Sequence, residues 1–190
     1  MNNYYNKLIN RNKLKKFWSF LGSDSKKAFP INYKFIWCFY KNRTFFDFNV
    51  CMIGFKKIFP IFNSIFSNNG DFLFIGTSYI YSSSIHNVNS ISQLRSGRVG
   101  GILTNFSLYG YNNFNLLSAN KVPSVILFFN AFENYFAVLE AKKKNVPTIG
   151  LIHNSFNSFL IDYPILLNPL YFYNIYIFSR FFFKYIIKLL

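Results

Sequence analysis

The sequence predicts an α/β fold built on a parallel sheet, because three short apolar runs have the character of buried strands. Residues 72–77, 124–129 and 148–152 carry no charged side chain, which is typical of strands that are covered on both faces. The segment between the second and third runs has the pattern of a helix. A β-α-β unit with two parallel strands and a right-handed crossover is the packing expected for this order.

The predicted helix of this unit has start and stop signals. Asn130 and Glu133 have the spacing of an N-cap and its capping partner. Phe132, Phe136 and Leu139 share one helix face, which we predict to be its apolar face. Three lysines at 142–144 suit the last turn, and the Asn-Val-Pro at 145–147 ends the helix.

Other segments extend this pattern along the chain. Residues 35–48 predict two short strands around a basic turn, and residues 50–67 predict a helix that Pro60 kinks or restarts. Asn-Asn-Gly at 68–70 is a stop signal. Residues 78–89 predict a helix after a tight turn at Gly76, and residues 90–94 predict a short strand.

The charge of the chain predicts a polyanionic partner. Among 190 residues there are 21 Lys and Arg against 6 Asp and Glu, a formal net charge of +15. Nucleic acid and an anionic membrane surface are the two main candidates, and an acidic protein partner, which would need less charge, is the third. We predict a basic N-terminal arm over residues 1–34 and a single domain over residues 35–190. Within the arm, Lys13, Lys15 and Lys16 are candidates for phosphate contact.

Aromatic residues are unusually abundant, with 27 Phe and 14 Tyr. Phe, Tyr, Asn, Ile and Lys all have AT-rich codons, so we attribute this composition to coding bias of the kind found in organellar genomes. Aromatic clusters are therefore not taken as evidence of base stacking. Residues 1–16 are polar and basic without the apolar core of a secretory signal.

No catalytic or metal-binding motif is present in the sequence. Cys38 and Cys51 form no CxxC pair, and His86 and His153 lie far apart. Neither a dinucleotide fingerprint nor a P-loop can be written at Gly76. We therefore predict no cofactor, no metal and no enzymatic activity, and interpret Cys38 and Cys51 as buried apolar residues.

A glycine-rich bend flanked by arginines is the main candidate for RNA contact. Arg95 and Arg98 precede Gly100 and Gly101, and a helix is predicted to start at about residue 102. Guanidinium groups and free N–H groups at a helix N-terminus suit phosphate oxygens. Thr104 and Asn105 either bond to RNA or cap the helix. Further candidates lie in the basic turn at Lys41 and Arg43.

The apolar tail at residues 165–190 is long enough to cross a membrane. However, Arg180, Lys184 and Lys188 recur at four-residue spacing and form one basic stripe on a helix. A spanning segment avoids such charges. A helix docked on the sheet is favoured, with a membrane anchor at 170–190 as the alternative.

With these motifs in order, the chain resembles the small-subunit ribosomal protein S2 family of bacteria and organelles. The resemblance rests on six features of the sequence: an apolar strand ending in Gly-Thr (73–77), Gly-Gly-Ile-Leu-Thr-Asn before Phe106 (100–105), a proline-led strand (123–129), Glu140-Ala141, Val-Pro-Thr-Ile-Gly (146–150) and Asp-Tyr-Pro-Ile (162–165). Their order and spacing agree over roughly residues 35–190.

The resemblance implies a flavodoxin-like three-layer αβα domain without catalysis. It implies a structural constituent of a mitochondrial small ribosomal subunit that binds small-subunit rRNA and neighbouring ribosomal proteins, with no small-molecule substrate and no membrane. The helical hairpin insertion of bacterial members has no room between Phe106 and Pro123. Arg98 stands where the family usually has an aromatic residue. A degenerate nucleotide-binding enzyme domain is the remaining alternative.

Overall fold

The computed structural model describes residues 21–77, 91–95, 101, 103–104, 122–171, 174–176, 178–180, 182 and 185. In chain order its elements are β1 (Leu21–Asp24), two 3-10 turns (Ser25–Lys27 and Pro30–Phe35), β2 (Ile36–Tyr40), β3 (Arg43–Phe46), α1 (Phe48–Ser67), β4 (Phe72–Thr77), β5 (Ile91–Arg95), β6 (Val125–Phe128), α2 (Tyr135–Lys143), β7 (Thr148–Ile152), a third 3-10 turn (Ser158–Leu160) and β8 (Tyr163–Leu166). Helical residues follow between 174 and 185, and we call them the C-terminal helical segment.

Five strands form a parallel sheet in the order β5-β4-β6-β7-β8. All four neighbouring pairs are parallel. Numbered from β4 as the first strand, this order is 2-1-3-4-5, which is that of flavodoxin. The apolar residues of β4 and β6 are completely buried, as expected for strands with helices on both faces. The predicted α/β, flavodoxin-like three-layer fold is confirmed.

One face of the sheet packs against α1 and the C-terminal helical segment. Alternate strand residues such as Phe72, Phe74 and Leu127 point to this side. They meet a stripe of α1 at helical spacing and three residues of the C-terminal helical segment: Met52, Phe55, Ile58, Phe59, Phe62, Phe178, Phe182 and Tyr185. Among the described residues, α1 is long and apolar enough to cross a membrane; here its apolar stripe covers the sheet.

Phenylalanine dominates this layer. The Phe62 ring contacts Phe182 edge-on at 4.3 Å and stacks on Phe72 at 5.3 Å between centroids. Tyr185 donates a hydrogen bond from its hydroxyl to Oδ1 of Asn63 at 2.6 Å. The C-terminal helical segment is therefore docked on the sheet as predicted, with Arg180 exposed. Lys184 and Lys188 lie outside the described residues.

The opposite face packs against α2, but not through the side predicted from the sequence. Ala137, Val138 and Ala141 are buried there, whereas Phe132 and Phe136 are 52% and 59% exposed. The predicted apolar face was wrong: α2 begins at Tyr135, so Phe132 lies ahead of the helix, and Phe136, although inside it, is on the exposed side. Asn130 still accepts a bond from Glu133 N–H at 3.4 Å, but it lies in the turn ahead of the helix.

The N-terminal strands form a separate three-stranded antiparallel sheet in the order β1-β3-β2. The predicted hairpin of β2 and β3 is confirmed, and Lys41 and Asn42 at its turn have φ of 45° and 61°. β1 was not predicted. It belongs to residues 21–34, the described part of the predicted N-terminal arm, which packs on the domain; residues 1–20 lie outside the described residues.

Asn154 joins this small sheet to the end of β7. It is fully buried, and its Oδ1 accepts bonds from Ser23 N–H at 2.8 Å and Ser23 Oγ–H at 2.5 Å. Its Nδ2 donates to Asp24 C=O at 3.2 Å. Its own C=O accepts from Phe29 N–H at 2.8 Å and from Asn32 Nδ2 at 2.9 Å. The side chain and the peptide carbonyl of Asn154 thus make five of the hydrogen bonds that hold the N-terminal segment on the parallel sheet.

Glu140 holds the glycine-rich loop from α2. Its Oε1 accepts a short hydrogen bond from Gly101 N–H, and its Oε2 accepts from Leu103 N–H at 2.8 Å. Gly101 has φ of 89°, a conformation that glycine adopts without steric cost. Leu103 is buried in the cluster on the α2 face. The loop and the helix are therefore locked together by one carboxylate.

The remaining predictions can now be compared with the structure. α1 starts two residues before the prediction with Asp47 as N-cap, and it continues through Pro60. It ends at Asn68–Gly70, where Asn69 takes the left-handed conformation. β5 agrees with the predicted short strand. β8, which contains Pro164, was missed; the helix predicted at 78–89 and the missing hairpin insertion lie outside the described residues.

We expect Asn154→Ala to lower the free energy of unfolding by about 1–3 kcal/mol, because Ser23 N–H and Asp24 C=O lose their partners in a partly buried place. Denaturant unfolding followed by circular dichroism measures this. The control is Asn49→Ala, an exposed side chain in the first turn of α1, with an expected change within about 0.5 kcal/mol. Equal destabilisation of the two variants would contradict the joining role of Asn154.

Glu140→Ala should also lower the free energy of unfolding by about 1–3 kcal/mol, because two backbone N–H groups lose a charged acceptor. Amide hydrogen exchange should accelerate at Gly101 and Leu103. Glu133→Ala is the matched control, since Glu133 is exposed and lies just ahead of the same helix. Unchanged exchange at Gly101 in Glu140→Ala would show that the carboxylate does not hold the loop.

Candidate nucleic-acid interface

A cleft of about 510 Å³ opens where the N-terminal sheet meets the carboxyl ends of the parallel strands. We call it the edge cleft. One wall follows the ends of β6, β7 and β8 and includes Phe132, His153, Ser155, Asn168 and Tyr171. The other wall comes from β1, the first 3-10 turn and β3, and includes Ser23, Asp24, Lys27 and Arg43. The carboxyl ends of parallel strands are where open α/β sheets bind ligands.

Lys41 and Arg43, two of the predicted RNA contacts, lie together at the β2–β3 turn. Both side chains are exposed. The Lys41 ammonium lies 5.4 Å from the ring centre of Tyr40, and Nη1 of Arg43 donates to the Tyr171 hydroxyl at 3.0 Å. A guanidinium has five N–H donors, so this bond leaves most of them for a ligand. Arg43 faces the edge cleft, and Lys41 does not line it.

His153 is an uncharged, buried group in the wall of the edge cleft. Burial lowers its pKa from 6.5 to about 4. Its Nδ1 accepts a hydrogen bond from Ser155 N–H at 3.1 Å, so the neutral ring carries its hydrogen on Nε2. Among the described residues, this Nε2–H has no hydrogen-bond partner. The half-exposed ring of Phe132 lies 4.8 Å from the imidazole.

The predicted glycine-rich contact is only partly described. Gly101 N–H is engaged by Glu140, and Thr104 is exposed three residues later. The backbone of Arg95 ends β5, opposite Thr77 of β4. The remaining predicted contacts, namely Arg98, Gly100, Asn105, Lys13, Lys15 and Lys16, lie outside the described residues. Of the predicted RNA contacts, the structure brings together Lys41 and Arg43.

Among the described residues, the buried thiol of Cys51 is held in its protonated form. Burial raises the pKa of the Cys51 thiol from 9.0 to about 12, with the charge of Asp47 as a smaller cause. That thiol donates to Leu166 C=O at 2.9 Å. No group of three or more His, Cys, Asp or Glu among the described residues could hold a metal ion. Cys51 is buried as predicted, whereas Cys38 is partly exposed.

Sequence reasoning missed the edge cleft and its histidine. His153 was considered only as a metal ligand, and Lys27 and Ser23 were included in the arm without a specific role. One signal was available. Polar residues His-Asn-Ser follow the buried run of β7 at 153–155, and polar residues directly after a parallel strand stand at the edge where ligands bind.

The model of the family described as ribosomal protein S2 matches residues 111–186. The small ribosomal subunit protein uS2m of Schizosaccharomyces pombe is 27% identical over 136 residues, covering 60% of this chain and 50% of the relative. The small ribosomal subunit protein uS2m of Bos taurus is 38% identical over 71 residues, covering 35% of this chain and 22% of the relative. This chain therefore spans half or less of the length of these relatives.

The family match covers β6, α2, β7, β8 and the C-terminal helical segment. Two motifs behind the resemblance have structural counterparts in this region. Glu140 holds the glycine-rich loop, and Thr148 exchanges hydrogen bonds with Asp162 at 2.8–3.1 Å between the starts of β7 and β8. The resemblance deduced from the motifs is confirmed for this region, and residues 111–186 are similar to the ribosomal protein S2 family.

Proposed function

We propose that this chain is a structural constituent of the small ribosomal subunit of mitochondria and has no catalytic role. The observation that carries the proposal is the ribosomal protein S2 match over residues 111–186, which includes three of the five strands of the parallel sheet. Both relatives are named small ribosomal subunit protein uS2m. The final letter of that name denotes the mitochondrial form, and this supports a location in the mitochondrial ribosome.

Binding to small-subunit rRNA is the second part of the proposal. The formal net charge of +15 favours a polyanion, and Lys26, Lys27, Lys41 and Arg43 are exposed near one another in sequence on the N-terminal sheet and its turns. Exposed cations of this kind neutralise phosphates and release counterions. The full set of proposed RNA contacts is Lys13, Lys15, Lys16, Lys41, Arg43, Arg95, Arg98, Gly100, Gly101, Thr104 and Asn105.

Contacts with neighbouring ribosomal proteins form the third part. Trp37, Phe39 and Tyr40 of β2 are 75%, 54% and 60% exposed. β2 is an edge strand of the N-terminal sheet, and contiguous exposed apolar residues on an edge favour a protein interface. A membrane anchor at residues 170–190 is disfavoured, because Phe178, Phe182 and Tyr185 are buried against α1 and the sheet.

The double variant Lys41→Ala/Arg43→Ala should bind transcribed small-subunit rRNA more weakly. The negative slope of log K against log salt concentration should become shallower by about 2, because each of the two cations is expected to neutralise one phosphate. Filter binding at salt concentrations between about 50 and 200 mM measures the slope. The free energy of unfolding should stay within about 1 kcal/mol of wild type, because exposed charges contribute little to stability.

The matched control is Lys56→Ala/Lys57→Ala, which removes two exposed cations of α1 and should leave the slope unchanged. An equal decrease in both double variants would refute a specific contact at the β2–β3 turn. In mitochondrial extracts, the tagged chain should sediment with the small subunit at low salt and leave it at high salt. Retention in membranes until detergent is added would contradict the ribosomal proposal.

A further inference from the structure

We propose that the edge cleft binds one nucleotide unit of single-stranded RNA, with the phosphate at Lys27, Arg43 and His153 and the base on Phe132. The inference rests on the proposed function and specifies a site within it. Of these four residues, the sequence predicted only Arg43 as an RNA contact. Lys27, His153 and Phe132 are added by the structure.

The location of these residues supports a ligand site. Phe132, His153 and Tyr171 follow β6, β7 and β8, so three neighbouring parallel strands deliver side chains to one place. The N-terminal sheet closes the other side through Lys27 and Arg43. A volume of about 510 Å³ lies within the range of about 300–1,000 Å³ for small-ligand sites. It suits one unstacked nucleotide.

The charges of the edge cleft complement one phosphodiester. Lys27 and Arg43 contribute two positive charges to its wall, and Asp24 contributes one negative charge. His153 is neutral at physiological pH. The wall therefore carries one net positive charge, equal and opposite to one backbone phosphate. The planar guanidinium of Arg43 can bond two phosphate oxygens at once, which an ammonium group cannot do.

The donor on His153 indicates the kind of ligand. Its Nε2–H is buried and has no acceptor among the described residues, and leaving such a donor unpaired is unfavourable. The bond from Ser155 N–H fixes the ring so that Nε2 donates. A phosphate oxygen accepts from this group, whereas a cationic ligand would leave it unpaired. Movement of the Phe132 side chain away from the imidazole would give a ligand access to Nε2.

Phe132 provides the surface for the base. It comes from the turn after β6 and is 52% exposed beside a basic cleft. An exposed aromatic ring next to cations is the arrangement by which proteins hold single-stranded nucleic acid without reading its sequence. The core on this face of the sheet is formed by α2 through Ala137, Val138 and Ala141; the Phe132 ring lies outside that core, against the imidazole of His153, and its exposed part is the surface for the base.

Imidazole ¹⁵N NMR tests the site directly in the full chain. The sequence has two histidines, His86 and His153, so histidine labelling gives two imidazoles and His86→Gln identifies the signals of His153. Adding a short oligouridine should shift the His153 Nε2 resonance. Arg43→Ala should weaken this binding by about tenfold or more, and Phe132→Ala should weaken it by about fivefold or more.

Arg180→Ala is the matched control. Arg180 is an exposed arginine whose Nη1 donates to the hydroxyl of Tyr176 at 3.1 Å, as Arg43 does with Tyr171, but it does not line the edge cleft. This variant should leave the His153 shift and its midpoint unchanged. Equal weakening in Arg43→Ala and Arg180→Ala, or no His153 shift at saturating oligouridine, would overturn the proposal.

Two further titrations distinguish an RNA site from a site for free phosphate or nucleotide. Inorganic phosphate and uridine monophosphate should shift His153 only at concentrations far above those of oligouridine. Equal midpoints for phosphate and oligouridine would overturn the assignment to RNA. Sedimentation with the small subunit but no His153 shift refutes this site alone, while a His153 shift without sedimentation refutes the ribosomal role and leaves RNA binding at the site.

Discussion

The fold depends on covering both faces of a parallel sheet whose central strands, β4 and β6, are almost entirely apolar. The apolar residues of β4 and β6 are completely buried, so exposing either face would cost a large part of the stability of the domain. α1 and the C-terminal helical segment cover one face, and α2 covers the other. The abundant phenylalanines serve this purpose: Phe62, Phe72 and Phe182 fill the α1 layer with ring contacts at 4.3–5.3 Å. In β4 and β6, the first polar side chains therefore appear at or beyond the strand ends.

At the carboxyl ends, the domain uses polar residues for assembly and for a cleft at the same time. Asn154 holds the N-terminal sheet. Its side-chain amide group and its backbone carbonyl both form hydrogen bonds with the segment from Ser23 to Asn32. Its neighbours His153 and Ser155 line the edge cleft instead. Because β1 and β3 form the second wall, the cleft exists only when the N-terminal sheet is docked. Folding of that sheet and formation of the cleft are therefore coupled through a group of hydrogen bonds in which Asn154 is central.

Local sequence patterns predicted the main helices and strands, but they did not predict the contacts between distant parts of the chain. The β6–α2–β7 unit could be read from apolar runs, stop signals and spacing, all of which act within a few residues. β8 was missed because Pro164 argues against a strand, but at the edge of the sheet a missing N–H is tolerated. The apolar face of α2 was misassigned because large apolar side chains were taken to mark it, whereas the side in contact with the sheet is formed by Ala137, Val138 and Ala141. Asn154 bonds a segment more than 120 residues away, and the edge cleft joins segments equally distant, so no spacing rule could have located them.

In the glycine-rich loop, the carboxylate of Glu140 takes the place that an external anion could occupy. Paired backbone N–H groups next to a glycine with positive φ form an anion-binding concavity, and here the anion is supplied by the same polypeptide. The Glu140 carboxylate already occupies these N–H groups. Because it is part of the same chain, its effective concentration is high, and a dissolved phosphate would have to compete with it. The concavity thus attaches the glycine-rich loop to α2. In this chain, the N–H groups of Gly101 and Leu103 hold the loop against α2 through Glu140.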